Sequence, residues 1–316
     1  MRNLYKAFLH KKSLFLVAFI ILVALSTVYG PALTGYQEFY PNDKVSSINV
    51  KEAVNQSDDY PYWFPWMMGG VPSVHSFQNV SDYYFPNYFM KFFKFLGFPW
   101  FWNFVFHLLF AGLGIYLLVR LLDISRFPAL IAALSFSLMP YMTAMLVHGH
   151  GSQIMTIAYM PWVFYGYLRM KKDISLANLG IFALLLGLQL LRGHVQMAYY
   201  TWLMIGIFVL FSIISNKTQF KFYYYMLIAL FSGFLMSISI IWPSYLYSEH
   251  SIRSISNGGA AFEYATNWSF SFSEMITFLV PSFYGFGGAT YWGTIEPAMT
   301  DFPNYLGLLT IIFTIF

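Results

Sequence analysis

The sequence predicts an all-α integral membrane protein, on three observations. Hydrophobic residues make up 58% of the 316 residues and charged residues only 9%. A soluble domain carries roughly 25% charged residues, so this chain is expected to face mostly lipid rather than water. Apolar runs of bilayer-crossing length recur along it. Aromatic residues reach 22%, and such rings gather where the membrane meets water.

The runs lie at roughly 13–33, 99–119, 127–146, 153–168, 174–191, 196–215 and 223–246, which reads as seven full spans. An eighth begins near 303. Its sequence YLGLLTIIFTIF, from Tyr305 to Phe316, stops short of the ~20 residues a span requires, so a C-terminally truncated fragment of a longer protein is expected. Residues 1–316 read as a single polytopic membrane domain. The first run follows Arg2, Lys6, Lys11 and Lys12, as a signal peptide would. Its apolar stretch is too long for that, and no small-residue cleavage site follows it.

Charge excludes some classes of function. The net charge is +4 with no basic stripe, which argues against a nucleic-acid partner. Cysteine is absent, so no disulfide framework or thiolate metal site exists. The positive-inside rule sets a cytoplasmic N-terminus. Short inner segments then hold Arg2, Lys6, Lys11, Lys12, Arg120, Arg126, Arg169, Lys171, Lys172, Lys217 and Lys221. Outer segments hold Lys44, Lys51, Lys91, Lys94, Arg192 and Arg253. Among the carboxylates only Asp123 and Asp173 fall inside. Polar chemistry therefore collects on the outer face.

Two long outer loops are expected, at 34–98 and 247–302, and loops of that length usually carry function or structure of their own. YYFPNYFMKFFKFLGF (83–98) reads as an interfacial helix on the outer leaflet, or as an extended start to the second span. Residues 272–286, with Glu274, resemble a second interfacial or re-entrant piece.

Candidate site residues follow from this topology. Glu38 and Asp43 stand just beyond the first span. A carboxylate there acts as a general base when partly desolvated, or is a solvated loop acid. PYWFPWMMGGVP (61–72) reads as a rigid amphipathic loop, with Trp63 counted among the substrate-facing candidates. The third-to-fourth connection, VHGHGSQ, supplies His148 and His150. The fifth-to-sixth, LRGHVQ, supplies Arg192 and His194. The seventh span ends in Glu249, His250 and Arg253. Ionisable groups at membrane depth are costly and tend to line a cavity or pathway. Arg192 is the sharpest instance. Its guanidinium suits a phosphate by bidentate hydrogen bonding, or it snorkels to the interface or pairs with a loop carboxylate. His-Gly-His lacks a helical metal spacing. A divalent metal stays possible, but no ligand set is assigned. His107, in mid-span, reads as a helix–helix hydrogen-bond partner.

In order and content the chain resembles the YfhO family of bacterial membrane proteins, relatives of the GT-C glycosyltransferases. The resemblance runs through Asp43, PYWFPWMMGGVP (61–72), HGHGSQIMTIAYMPW (148–162), LLRGHVQMAYY (190–200), FSFSEMITFLVPSFYGF (270–286), YWG (291–293) and YLGLL (305–309). Phe64 stands where the family pattern P-x-W-N-P-x-x-x-G-G-x-P has Asn. The resemblance implies a GT-C-like multi-span bundle with a long first outer loop and interfacial helices in the bacterial plasma membrane. It also implies transfer of a sugar from a polyprenyl-phosphate carrier to a glycan or cell-wall polymer acceptor outside the cytoplasm, with Asp43 as catalytic base. Arg192, Arg253 and the nearby His would hold the lipid phosphate.

Two other classes stay open: a transporter or flippase of lipid-linked glycans, and a non-catalytic membrane scaffold. Transporters often break their helices near the bilayer midplane. The polar residues here gather at one face instead.

Overall fold

The structure is a computed structural model that describes residues 2–37, 62–65, 69–73, 83–147, 149–215, 219–250 and 272–280, with isolated positions at 254, 262, 283, 305, 307 and 310–312. Helix dominates these residues. Two compact units are present: residues 1–139 with 145–244, and residues 140–144 with 245–316.

In the first unit, α1 (Arg2–Leu33) buries Val17, Ile21, Leu25 and Tyr29, a stripe at four-residue spacing. Its other face exposes Phe15, Leu16 and Phe19, which are equally apolar. A water-facing helix would be polar there, so this face suits lipid. The helix kinks at Tyr29, just before Pro31, the usual cause of such a bend.

Two short strands, β1 (Trp63–Phe64) and β2 (Val71–Pro72), pair antiparallel. Gly70 lies against the Trp63 indole at φ +119, where a Cβ would come within 2.9 Å of the ring. Trp63 itself is half exposed. Phe64 is fully buried, so the position where the family pattern has Asn is a core residue here.

The aromatic stretch after it is a separate helix, α2 (Asn87–Phe95), not an extension of the next span. Gly97, at φ +88, ends it, and α3 (Trp102–Leu121) follows. Then come α4 (Arg126–Ser137), α5 (Pro140–Val147), α6 (Gly151–Ile157), α7 (Met160–Lys172), α8 (Leu176–Leu190), α9 (Val195–Ile214), α10 (Phe220–Met236) and α11 (Ile238–Ser248). In the second unit, Ser273–Phe278 forms a 3-10 helix that buries Glu274 and Thr277.

Among the described residues, four stretches are long and apolar enough to cross a membrane: Ser13–Leu33, Trp102–Leu121, Arg126–Val147 and Val195–Ile214. The pair α10–α11 makes a fifth if counted as one bent span. The chain is thus a multi-pass membrane protein, though three of the seven expected spans differ. The run at 153–168 is cut between α6 and α7, where Pro161 starts a new helix in its favoured first turn. The run at 174–191 yields the 15-residue α8, only ~22 Å long at 1.5 Å per residue, against a hydrocarbon core of ~30 Å. The run at 223–246 bends by 75° between α10 and α11. At that break the Ser237 hydroxyl donates to the Phe234 carbonyl, competing with the helical ladder.

Small residues bring helices together. Along the α8–α10 seam, a Cβ on Gly233 would lie 2.8 Å from Leu186 Cβ and 3.0 Å from the Ala183 carbonyl. Such close backbone approach is a main source of cohesion between helices in lipid. Gly233→Leu is expected to overpack this seam and cost about 1–3 kcal/mol or more. Size-exclusion profiles in detergent check this. Gly206→Leu, on a helix surface with open space around it, should leave the profile unchanged.

The seam also sets levels. Met236 lies against Gly187 in the last turn of α8, so the α10–α11 bend sits near the C-terminal end of α8. The opposite end of α8 is basic and well tied. Lys171 Nζ donates to Ser212 Oγ (2.9 Å), and Lys172 Nζ lies 3.8 Å from Asp123. Arg169 donates to Asn178 Oδ1 (3.3 Å).

Candidate functional site

The site lies at the C-terminal end of α8. Gly193, at φ +76, closes that helix in the left-handed conformation, and its N–H donates to the Leu190 carbonyl (2.9 Å). This is a common helix stop. It turns the chain sharply into α9 and leaves Arg192 in the turn. Beneath it, Gln189 is fully buried and ties three elements together. Its Nε2 donates to Thr201 Oγ1 on α9 (2.9 Å) and to the Thr156 carbonyl on α6 (3.4 Å).

Arg192 is only 6% exposed, so it does not snorkel. Among the described residues no carboxylate pairs with it, and its Nε has no hydrogen-bond partner. Its guanidinium carbon stands 4.5 Å from the ring centroid of Tyr84, over the face of the ring. Burial pulls the guanidinium below its ordinary pKa, with the two tyrosines Tyr84 and Tyr159 opposing that shift. Arginine remains charged even so.

Tyr84 comes from the segment before α2 and is buried. Its hydroxyl meets His107 Nε2 on α3 (3.2 Å) and the Tyr159 hydroxyl from the α6–α7 junction. Burial raises the Tyr84 pKa, against the lowering effects of its bond with Tyr159 and of the Arg192 charge. Tyr84 is therefore a neutral phenol and cannot serve as the counter-ion of Arg192. His107 Nδ1 lies 2.7 Å from the Asn103 carbonyl, which can only accept, so in the neutral ring Nδ1 carries the proton. The bare Nε2 then accepts from Tyr84. Tyr84 in turn accepts from Tyr159.

These three side chains line one side of a cavity of about 320 Å³, completed by Pro86, Phe89, Met90, Phe106, Phe110, Leu185 and Leu188. That is the lower end of ligand-pocket sizes, roughly 300–1,000 Å³. Its lining is overwhelmingly hydrocarbon. A buried cation, without a carboxylate partner among the described residues, stands over the aromatic ring that walls an apolar chamber.

The expected site residues separate accordingly. Arg192 is at the centre. His194 caps α9 and is partly buried, with Nδ1 unpartnered among the described residues. Burial is the main cause that lowers its pKa, with the His150 charge adding to this. His150 is exposed at the start of α6, and Trp63 is exposed on β1. Glu249 is exposed in the second unit. Glu38, Asp43, His148 and Arg253 lie outside the described residues. Among the described residues no three His, Asp or Glu side chains gather as metal ligands would. His107 pairs with Tyr84 rather than with another spanning helix, which corrects its expected role. Tyr84 and Tyr159 carry the site but were not singled out by sequence. The one legible signal was His107 itself, an imidazole in an apolar span.

No protein-family model, curated protein or solved structure matches this chain.

Proposed function

We propose that this protein is a membrane glycosyltransferase of the kind its resemblance to the YfhO family implies. It takes a sugar from a polyprenyl-phosphate donor and passes it to a cell-envelope hydroxyl on the outer face of the bacterial plasma membrane. The N-terminus is cytoplasmic, and α2 lies in the outer leaflet with its aromatic face in lipid. The carrying observation is the buried guanidinium of Arg192, unpaired among the described residues, beside an apolar cavity. Burying an ion costs several kcal/mol even after relaxation. A desolvated cation–π contact returns about 2 kcal/mol. The difference favours an anion as the natural partner, and the cavity favours an anion that carries hydrocarbon. A polyprenyl phosphate is both.

The transfer is a displacement. The acceptor oxygen attacks the anomeric carbon, and the bond from that carbon to the phosphate oxygen breaks. The phosphate leaves with the electron pair, its charge held by Arg192. Asp43 takes the acceptor proton. Phosphate leaves readily, so no strong general acid is required. The α10–α11 bend lies toward the Arg192 end of α8, which favours this reading over a transporter broken at mid-height.

The test supplies membranes holding the protein with undecaprenyl-phosphate sugars labelled in the hexose or N-acetylhexosamine. Release of undecaprenyl phosphate coupled to label in envelope polymer supports the reading. No turnover of any donor, together with undecaprenyl phosphate binding that ignores Arg192, overturns it.

A further inference from the structure

We infer that Tyr84 is the positioning residue that joins the anion site to the apolar cavity, so that one lipid occupies both, phosphate at Arg192 and first isoprenoid carbons in the chamber. The inference rests on the lipid-phosphate reading above and adds to it what orients the cation and which part of the donor is selected.

The geometry is specific. Among the described residues, Tyr84 alone both lines the cavity and carries the guanidinium over its ring face, at 4.5 Å. Its ring is not free to tilt. The hydroxyl is held from two sides, by His107 Nε2 on α3 and by the Tyr159 hydroxyl at the α6–α7 junction. His107 is fixed in turn through Nδ1 to its own helix. The relay Tyr159→Tyr84→His107→Asn103 carbonyl fixes the plane of the ring, and the plane fixes where the guanidinium presents its N–H groups. Because Arg192 stands over the face of a neutral phenol and its Nε has no hydrogen-bond partner among the described residues, that donor is left for a ligand. Arg192 also gains its hold on the ring without a carboxylate among the described residues that an incoming phosphate would have to displace. The opposite end of α8 contrasts with this: there Arg169, Lys171 and Lys172 each have a hydrogen bond or ion pair within the protein. Selection then follows from the shared wall. A free phosphate reaches only the cation. A neutral polyprenol reaches only the chamber. A phosphate borne directly on a branched apolar chain satisfies both.

The experiment measures binding of undecaprenyl phosphate, undecaprenol and inorganic phosphate to the protein in nanodiscs. Tyr84→Leu should weaken undecaprenyl phosphate by about tenfold, the scale of a lost desolvated cation–π contact, and leave undecaprenol unchanged. Tyr84→Phe keeps the π face but loses the hydroxyl held by His107 and Tyr159, and should recover only part of the loss. Phenylalanines carrying one, two and three ring fluorines at position 84 keep the shape but drain the π face. Affinity should fall stepwise along that series, which a merely structural ring would not produce. The double variant Tyr84→Leu/Arg192→Ala should bind no worse than Arg192→Ala alone, because both remove one device. A flat fluorine series, or losses that multiply in the double variant, overturns the role of Tyr84 while a loss in Arg192→Ala keeps the anion site. Unchanged binding in Arg192→Ala overturns the site itself. Inorganic phosphate bound as tightly as undecaprenyl phosphate would overturn the joint occupancy.

Discussion

Replacing Arg192 with Ala is expected to lower affinity for undecaprenyl phosphate by about 100-fold while raising the thermal stability of the ligand-free protein. The two effects have one cause. A guanidinium that is 6% exposed, with no anionic partner among the described residues, is a cost to the fold until an anion arrives. Removing a buried, hydrogen-bonded charge from a complex costs about 2–5 kcal/mol, which is roughly 30-fold to several thousand-fold in affinity. Removing it from the empty protein relieves the desolvation. A purely structural arginine predicts the opposite sign, a fall in stability. Arg192→Lys keeps a charge but loses the planar fork over Tyr84, and is expected to lose about tenfold in binding. Lipid-binding titrations and thermal unfolding in the same detergent read both quantities.

The second large effect is at Asp43. Asp43→Asn is expected to reduce sugar transfer by about 10²–10⁴-fold, the usual contribution of a general base, with donor binding unchanged. The two variants divide the labour. Arg192→Ala fails at the donor, whereas Asp43→Asn binds donor and does not turn it over. Transfer by Asp43→Asn at the parent rate removes Asp43 as the base.

Much of this was legible in the sequence, for identifiable reasons. The membrane class follows from the scarcity of charge, since only 9% of the residues are charged while 58% are hydrophobic. Arg192 stands out because a guanidinium inside an apolar hairpin has few explanations. The span count is less legible, because hydropathy sums a run without seeing its breaks. The chain between Gly151 and Lys172 is apolar throughout its first part, yet Pro161 restarts the helix. Ser237 leaves hydropathy almost untouched, yet α10 and α11 meet there at 75°. The aromatic partners were hidden by abundance. With 25 Tyr in the chain, nothing in the sequence marks Tyr84 or Tyr159. Their meeting depends on a short helix, α2, folding back so that the residues before it reach α3. Phe64 shows the same limit. It departs from the family pattern as a loss of polarity, and only the fold reveals it as a fully buried core residue.

The most direct test is a cryo-electron microscopy map of the protein in nanodiscs with undecaprenyl phosphate added. The account predicts phosphate density within hydrogen-bonding distance of the Arg192 guanidinium, continuous with chain density between Phe89, Phe110 and Leu188. Phosphate density at the Lys171–Lys172 end instead, with Arg192 enclosed by protein and its cavity filled only by side chains, would contradict it.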